Sequence, residues 1–437
     1  MSGGTPTSSP HVPGVPPSAP ADTPSALIAL RHRNFRLLWF GQLVSFSGTM
    51  MQSAAVLWHV SLLVPDDRKG LALGMVGLVR VVPIIVFSLI SGVVADVLDR
   101  RKLMLVTQST MAAFAGVLAL LTFRGLDAVW PIYLLSALGS AAGAFDGPAR
   151  QSLIPNLVPR EHLPNAISLN TIMFQLASVA GPSLAGAVIG LLGVGWAYLF
   201  NAVSFLTVIG ALLLMRGVRA AGTVDGDARH QPARISLGSA VEGLRFVFRA
   251  DMIRSTMLLD FFATFFSSAT ALLPIFAQDI LDVGAGGYGW LYAAPSLGAL
   301  VASAGMVRAV DRLHHRGYVL VGAVAAYGAA TVLFGFSRSF WLTFACLALT
   351  GAADTVGMVL RNIIRQTLTP DHLRGRMTSV NMIFFMGGPQ LGELEAGLVA
   401  NAFGAPFSVV TGGLGCLVAT GAIAATTPAL RHYRRET

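Results

Sequence analysis

Long apolar stretches alternate with short polar segments along almost the whole chain. Each stretch is long enough to cross the hydrocarbon core of a bilayer as an α-helix, which needs about 20 residues. A first series covers 36–62, 71–95, 103–123, 129–150, 165–191 and 194–215. A second series covers 253–280, 287–307, 317–337, 340–364, 375–402 and 405–428. The pattern predicts an all-α membrane protein with twelve transmembrane helices in two six-helix bundles.

The polar segments outside the two series set the predicted domain order. The first 25 residues contain seven prolines and lack the regions of a secretory signal, so they are predicted to form a disordered cytoplasmic tail. A polar linker between the series ends in a short amphipathic helix at about 237–248. The predicted order of tail, bundle, linker, bundle and tail is 1–30, 31–216, 217–250, 251–428 and 429–437.

The composition leaves no room for a large soluble domain. Apolar residues make up 54% of the chain and charged residues 12%, with a mean hydropathy of +0.67. Soluble domains carry about 25% charged residues. We therefore expect the lipid bilayer to be the main surrounding of this chain, and a soluble enzyme is excluded.

The basic residues indicate how the chain is oriented. If the amino terminus is inside, 25 of the 30 Lys and Arg residues lie on the inner side, as expected for cytoplasmic loops. The net charge of +9 is then a topology signal, so no nucleic-acid partner is expected. Heavy use of Arg with abundant Ala and Gly indicates a GC-rich bacterial genome. We expect a bacterial plasma membrane protein with both termini in the cytoplasm.

The two halves of the chain repeat each other. An offset of 215 pairs Asp96 with Asp311, Arg101 with Arg316, and Arg150 with Arg365. After a short contraction, an offset of 211 pairs Asn170 with Asn381, Gly181 with Gly392, and Gly186 with Gly397. One offset thus serves two separate loops, which indicates that the six-helix unit is duplicated.

Several motifs in the repeated segments resemble the major facilitator superfamily. They are GVVADVLDRRK at 92–102, RQSLIP at 150–155 with LPNA at 163–166, GPSLAG at 181–186, and GELEAGLVA at 392–400. Together they are similar to a bacterial efflux branch that includes siderophore (enterobactin) and macrolide exporters, and the resemblance covers about residues 30–430. The chain departs from the family pattern at Val97, where a basic residue is usual, and at Asp99, where glycine is usual.

The resemblance implies roles for two groups of residues. The residues that would form a cytoplasmic gate are Asp96, Arg100, Arg101, Arg150, Asp311 and Arg365. Those of a helix motif that changes conformation would be Gly181, Pro182, Gly186, Gly392 and Gly397. For the glycines, ordinary close packing of helices is an equally good explanation, since small residues let helix backbones approach in a bilayer. The loop charges could likewise be simple anchors at the helix ends.

Charged residues within the predicted spans are candidates for function, because each costs about 2.5–3.5 kcal/mol to insert. The candidates for proton coupling or a substrate cavity are Arg80, Asp260, Asp354 and Glu393. Burial raises the pKa of a carboxyl group and a nearby cation lowers it, so such a group can take and release a proton. By their depth in the predicted spans, the acids rank as proton carriers in the order Glu393, Asp354 and Asp260. The alternative is a static ion pair, for instance of Arg80 with one acid.

Several kinds of site are missing from the sequence. There is no phosphate-binding Gly-Lys-Ser/Thr loop, and His314 and His315 lack further ligands at metal spacing, so we expect no enzyme activity, cofactor or metal. The predicted function is export of a small, moderately apolar organic molecule (drug, siderophore or secondary metabolite) by a monomer, through proton antiport and alternating access. Two alternatives stay open: an importer that works by proton symport, and a receptor or scaffold that transports nothing.

Overall fold

The computed structural model describes residues 27–216, 245, 247–370 and 373–433. The predicted amino-terminal tail lies almost entirely outside these residues, and so do most of the predicted linker, most of its amphipathic helix and the last four residues of the carboxy-terminal tail.

Helices make up the two halves, and the described residues contain no strand. The first half comprises α1 Arg33–Leu63, α2 Lys69–Val97, α3 Arg100–Phe123, α4 Trp130–Leu153, α5 Leu163–Leu192 and α6 Val194–Leu214. The second comprises α7 Asp251–Phe266, α8 Gly284–Ala309, α9 Arg316–Phe336, α10 Phe340–Leu368, α11 Arg374–Phe403 and α12 Ala405–Thr426. Apart from α7, each helix begins and ends within four residues of its predicted limits.

The surface of the helices suits a lipid environment. Large apolar side chains point outward, among them Leu191 at 84% exposed and Val307 at 78% exposed. Nine helical stretches of the described chain are long and apolar enough to cross a membrane. Three long helices, α1, α4 and α11, are more polar because they carry residues such as Gln42, Asp146 and Glu393. The all-α membrane fold is confirmed, whereas the count of twelve spans stays a prediction.

The predicted seventh span, 253–280, is found as an apolar span at Asp251–Ile280, but its helix is interrupted rather than continuous. After α7 ends, the chain forms a 3₁₀ turn at Ala269–Leu272, a short helical turn at Leu273–Ile275 and a π-helix at Phe276–Ile280. The hydroxyl of Ser268 at the break donates to the carbonyl oxygen of Pro389 in α11, at 2.9 Å. This bond ties the break in the seventh span to the continuous helix α11.

The two ends of the bundle are distinguished by the chain termini. The backbone N–H of Ala29 donates to Asn165 at the start of α5, at 3.1 Å, and that of Gly317 at the start of α9 donates to the carbonyl of Tyr433, at 3.0 Å. Because consecutive helices alternate in direction, all odd-numbered helices start at this end. We call it the termini end and the opposite one the far end. The halves contact each other mainly through α2 with α11 and α5 with α8.

Candidate functional site

Glycines form both main contacts between the halves. A Cβ atom on Gly397 of α11 would lie 2.6 Å from the Cα of Gly74 in α2, and one on Gly289 of α8 would lie 2.6 Å from the Cα of Gly186 in α5. The repeat offsets relate the two contacts, since 215 converts Gly74 to Gly289 and 211 converts Gly186 to Gly397. Two pseudo-equivalent glycine crossings therefore join the halves, each toward the far end.

The other two motif glycines pack inside the halves. Gly181 faces α1, where an added Cβ would lie 2.6 Å from the carbonyl oxygen of Ser47, and Gly392 faces the backbone of Phe265 in α7. The carbonyl of Pro182, beside Gly181, faces the α8 glycine of the crossing. On each of α5 and α11, the first glycine of the motif therefore contacts a helix of its own half, and the last glycine contacts a helix of the other half. Its part in a conformational change stays a prediction.

The carboxyl group of Glu393 lies at the interface between the halves. It sits one helical turn before Gly397 and faces α2, so that a Cβ on Gly77 would be 2.8 Å from its Oε2. Arg80, on the next turn of α2, and Tyr292 of α8 both lie close enough to interact electrostatically with this carboxyl group. An acid, a basic residue and a phenol from three helices of both halves therefore lie within electrostatic range of one another beside the α2–α11 crossing.

A buried ion cluster occupies the second half. Arg361 of α10 lies 2.8 Å from Asp260 Oδ1 in α7 and 3.0 Å from Asp354 Oδ1, which is about two turns earlier on its own helix. Arg365 Nη1 lies 3.8 Å from the other oxygen of Asp260. The side chains of Arg361 and Asp260 are only 2% and 4% exposed. Two of the predicted proton carriers are thus ion-paired, with Arg361 rather than Arg80 as the partner.

We predict that Arg361→Gln strongly destabilises the protein. The change leaves Asp260 buried without its nearest partner, and breaking a buried ion pair costs about 3–5 kcal/mol. The measurement is thermal unfolding of the purified protein in detergent. The double variant Asp260→Asn with Arg361→Gln is expected to recover much of the loss, because no unpaired charge is left at that position. Equal melting temperatures for the single and double variants would contradict the pairing.

Two residues of the predicted gate bond within the first half. Arg100 Nη1 donates to the carbonyl oxygen of Ser152 at the end of α4, at 3.1 Å, and Arg101 Nη2 donates to that of Leu213 at the end of α6, at 3.3 Å. Both contacts join helix ends at the termini end. They fit an anchoring role as well as a gating role, so the gate stays a prediction.

The remaining gate candidates lie in different places. Arg365 belongs to the buried ion cluster, and Arg150 Nη1 donates to Gln42 Oε1 in α1, at 3.2 Å. Asp311 is exposed in a 3₁₀ turn that follows α8. Asp96 lies in α2, but its side chain is outside the described residues. The structure therefore brings the repeated arginines, Arg150 and Arg365, to pseudo-equivalent interior positions.

A polar contact that the sequence did not reveal joins the halves at the far end. Lys69 Nζ lies 2.7 Å from Asp66 Oδ1 and 3.3 Å from Asp279 Oδ2, which belongs to the π-helix of the second half. Beside it, Gln278 Nε2 donates to Ser61 Oγ at 2.8 Å. In the sequence Lys69 is only a charge in a short loop, and its partner lies 210 residues away. Three-dimensional packing alone brings them together.

We predict that Lys69→Asp weakens the contact between the halves at the far end. The variant places an acid against Asp66 and Asp279. Partly exposed ion pairs of this kind stabilise a protein by about 0.2–1 kcal/mol. We therefore expect the population of the state closed at the far end to fall by a few-fold. Spin-label distances between the two halves measure it. Adding Asp279→Lys should restore the wild-type distances. Arg68→Asp is the matched control, because Arg68 pairs with Asp67 in its own turn; an equal effect of both variants would contradict the prediction.

Comparison with known proteins agrees with this fold. The profile of a family described as transmembrane secretion effector matches residues 24–436. The multidrug efflux pump Tap of Mycolicibacterium fortuitum is 28% identical over 406 residues, covering 91% of this chain and 96% of that protein. The enterobactin exporter EntS of Escherichia coli (strain K12) is 26% identical over 407 residues, covering 92% and 94%.

Solved structures show the same architecture. A bacterial homolog of the human lysosomal transporter Spinster, in an inward-facing and unoccupied conformation, aligns with a TM-score of 0.72 at 14% identity over 92% of this chain and 99% of that one. A bacterial homologue of the iron transporter ferroportin, in an inward-facing state, gives 0.64 at 17% identity over 90% and 99%. The predicted resemblance is confirmed, and the chain belongs to the transmembrane secretion effector family of major facilitator transporters.

Proposed function

We propose that the protein exports a small, moderately apolar organic molecule in exchange for protons, by alternating access. The observation that carries this proposal is the position of Glu393 at the α2–α11 glycine crossing, where the two halves meet. The direction is supported by the relatives, which are a multidrug efflux pump and an enterobactin exporter by name.

The closed far end supports alternating access. The two glycine crossings and the Lys69–Asp279 pair hold the halves together there. If both termini are cytoplasmic, the far end faces outward and the molecule is closed to the outside. A substrate would then enter from the cytoplasm, and separation of the glycine crossings would release it outside.

A carboxyl group at this interface can couple the movement to protons. The ionised form of Glu393 is attracted to Arg80 and can interact with a polar or cationic group of a substrate. The protonated form carries no charge and fits between closely packed backbones at low cost. Exchange of substrate for a proton at Glu393 would therefore favour the return of the empty transporter.

Two rival functions predict different results. A proton-coupled importer of a small solute would move its substrate in the same direction as protons, which reverses the response to a pH gradient. A receptor or scaffold would show no gradient-driven movement at all. The presence of Arg80, Tyr292 and Glu393 at the interface between the halves favours a transporter. Charged residues inside a membrane are costly to insert, and a scaffold has no function that requires them there.

Inside-out membrane vesicles with an acidic interior test the proposal. The probes are a macrolide, a catecholate siderophore and a lipophilic cation, and probes that bind are first chosen by thermal stabilisation of the purified protein. We expect accumulation of at least one probe inside the vesicles, with alkalinisation of the lumen that depends on it. Expulsion of the probe with proton flow would indicate symport. Absence of any movement driven by the gradient would reject the proposed transport.

A further inference from the structure

A cavity of about 150 Å³ lies within the first half, where α1, α3, α4 and α6 line it. One part of its wall is apolar and includes Phe205 and Met111, and another part is polar and includes Gln108 and Arg150. The predicted proton-coupling residues do not line it. An apolar cavity of about this volume can hold a benzene ring. The space therefore suits a small organic group that is apolar on one side and polar on the other.

Two glycines of α4 make this space available. Gly143 and Gly147 both line the cavity and lie about one helical turn apart. A Cβ atom on Gly147 would meet no neighbouring atom within 4 Å, and one on Gly143 would lie 3.9 Å from Met111 Sδ, an ordinary contact. Asp146 and Arg150 line the cavity from the same face of α4. Room for a further group is thus left directly beside two charged side chains.

The polar wall offers one hydrogen-bond donor and one acceptor. Gln108 is only 4% exposed, and its Nε2 donates to Asp146 Oδ1 at 2.9 Å. Within the described residues, Gln108 Oε1 and Arg150 Nε are buried and have no hydrogen-bond partner. Because buried polar groups are normally hydrogen-bonded, a bound group should accept a bond from Arg150 and donate one to Gln108. The opposite charges of Asp146 and Arg150 balance, which favours a group without net charge.

The second half indicates which chemical group fits beside this arginine. An offset of 215 converts Arg150 to Arg365 and Gly147 to Asn362. Arg365 donates from Nη2 to the carboxamide oxygen of Asn362 at 3.0 Å. The second half thus provides its arginine with a carboxamide at the position where the first half has a glycine. A carboxamide also carries N–H donors, which match the acceptor on Gln108.

We propose that this cavity binds a neutral carboxamide group, attached to an apolar or aromatic body, of the molecule that the protein exports. The proposal rests on the proposed export, which identifies the bound molecule as the substrate. The amide oxygen accepts from Arg150 Nε, an amide N–H donates to Gln108 Oε1, and the apolar body packs against Phe205 and Met111. The site contributes to the choice of substrate, while coupling to protons takes place at Glu393.

Binding of benzamide to the purified protein, measured by calorimetry, tests the site without any gradient. Methyl benzoate lacks the N–H groups and should bind about ten-fold more weakly, because it leaves Gln108 Oε1 unpaired. Gly147→Asn should lose benzamide binding, since its own carboxamide takes the place beside Arg150. Gly139→Asn is the matched control on α4, because a Cβ there also meets no neighbouring atom within 4 Å but lies outside the cavity lining. It should bind benzamide as the wild type does.

Gly143→Leu fills the same cavity from a second position and checks the result if Gly147→Asn folds poorly. A leucine suits a helix better than glycine, so we expect a melting temperature close to that of the wild type and loss of benzamide binding. Unchanged affinity for benzamide in a folded cavity variant would overturn the proposal. The same holds if the wild type binds no benzamide, or binds methyl benzoate equally well.

Transport separates this inference from the proposed function. The probes are a lipophilic fluorophore that carries a carboxamide and the methyl ester of the same fluorophore, both offered to inside-out vesicles. We expect Gly147→Asn to accumulate the amide about ten-fold more slowly than the wild type and the ester at an unchanged rate. Equal effects on both probes would overturn the inference and leave the export intact. If the wild type moves neither probe nor any other, the proposed function fails, and calorimetry alone decides whether the cavity binds an amide.

Discussion

Replacing Glu393 with glutamine is expected to reduce proton-driven transport to the level of liposomes without protein. Glutamine keeps the size and hydrogen-bonding capacity of the side chain but never ionises, so a proton has nothing to exchange with at the interface. Thermal stability should stay close to that of the wild type, because the neutral side chain suits its packed position beside Gly77. Uptake into vesicles with an imposed pH gradient measures the effect.

The pH dependence of substrate binding provides a second readout for this variant. If proton and substrate compete for Glu393, wild-type affinity falls as the pH is lowered, whereas the affinity of Glu393→Gln should not change with pH. Glu395→Gln is the matched control, since it lies two residues further on and points about 200° away around the helix. Wild-type coupling in Glu393→Gln, or an equal loss in both variants, would remove Glu393 from the mechanism.

Replacing Gly186 with alanine is expected to shift the transporter away from the state closed at the far end. The added Cβ would lie 2.8 Å from both the Cα of Gly289 and the carbonyl oxygen of Ala285, and both contacts are with backbone atoms that cannot rotate away. Overpacking of this kind costs about 1–3 kcal/mol, which changes the ratio of two states by about 5- to 150-fold. Spin-label distances across the far end report the populations.

Gly190 gives a control on the same helix. A Cβ at Gly190 would meet the side chain of Ala285 at 3.9 Å, an ordinary contact, so Gly190→Ala should behave as the wild type. Gly397→Ala should reproduce the effect of Gly186→Ala, because it fills the pseudo-equivalent crossing. If Gly186→Ala keeps the wild-type distances and turnover, the crossing does not limit the conformational equilibrium.

The helices and the glycine motif could be predicted from the sequence because their causes are local. Apolar runs of sufficient length form helices in lipid, and the repeat offsets select Gly186 and Gly397 without any structure. The offset of 215 relates Gly74 to Gly289 as well, but it does not show that these glycines contact Gly397 and Gly186. Gly74 and Gly289 belong to helices with many small residues, and only the crossing of helices decides which of these touches another backbone.

The ion pairs were beyond sequence analysis for a related reason. Charge and depth in the membrane identify Asp260 and Asp354 as unusual, but several arginines could pair with either acid. The packing of the helices must be known before the partner can be identified. Arg361 is that partner, and Lys69 and Asp279 pair across the halves in the same way. The break after α7 has a local signal in Ser267, Ser268 and Pro274, although the same residue types occur inside unbroken membrane helices.

The interruption of the seventh span has a mechanical consequence. It divides the span into two helical segments, and each carries one acid: Asp260 on α7 and Asp279 on the π-helix. If the protein works by the alternating access proposed above, the segment that carries Asp279 would move with Lys69 while α7 keeps Asp260 paired with Arg361. Opening of the far end would then leave intact the Asp260–Arg361 pair, which is the least exposed ion pair in the described part of the chain.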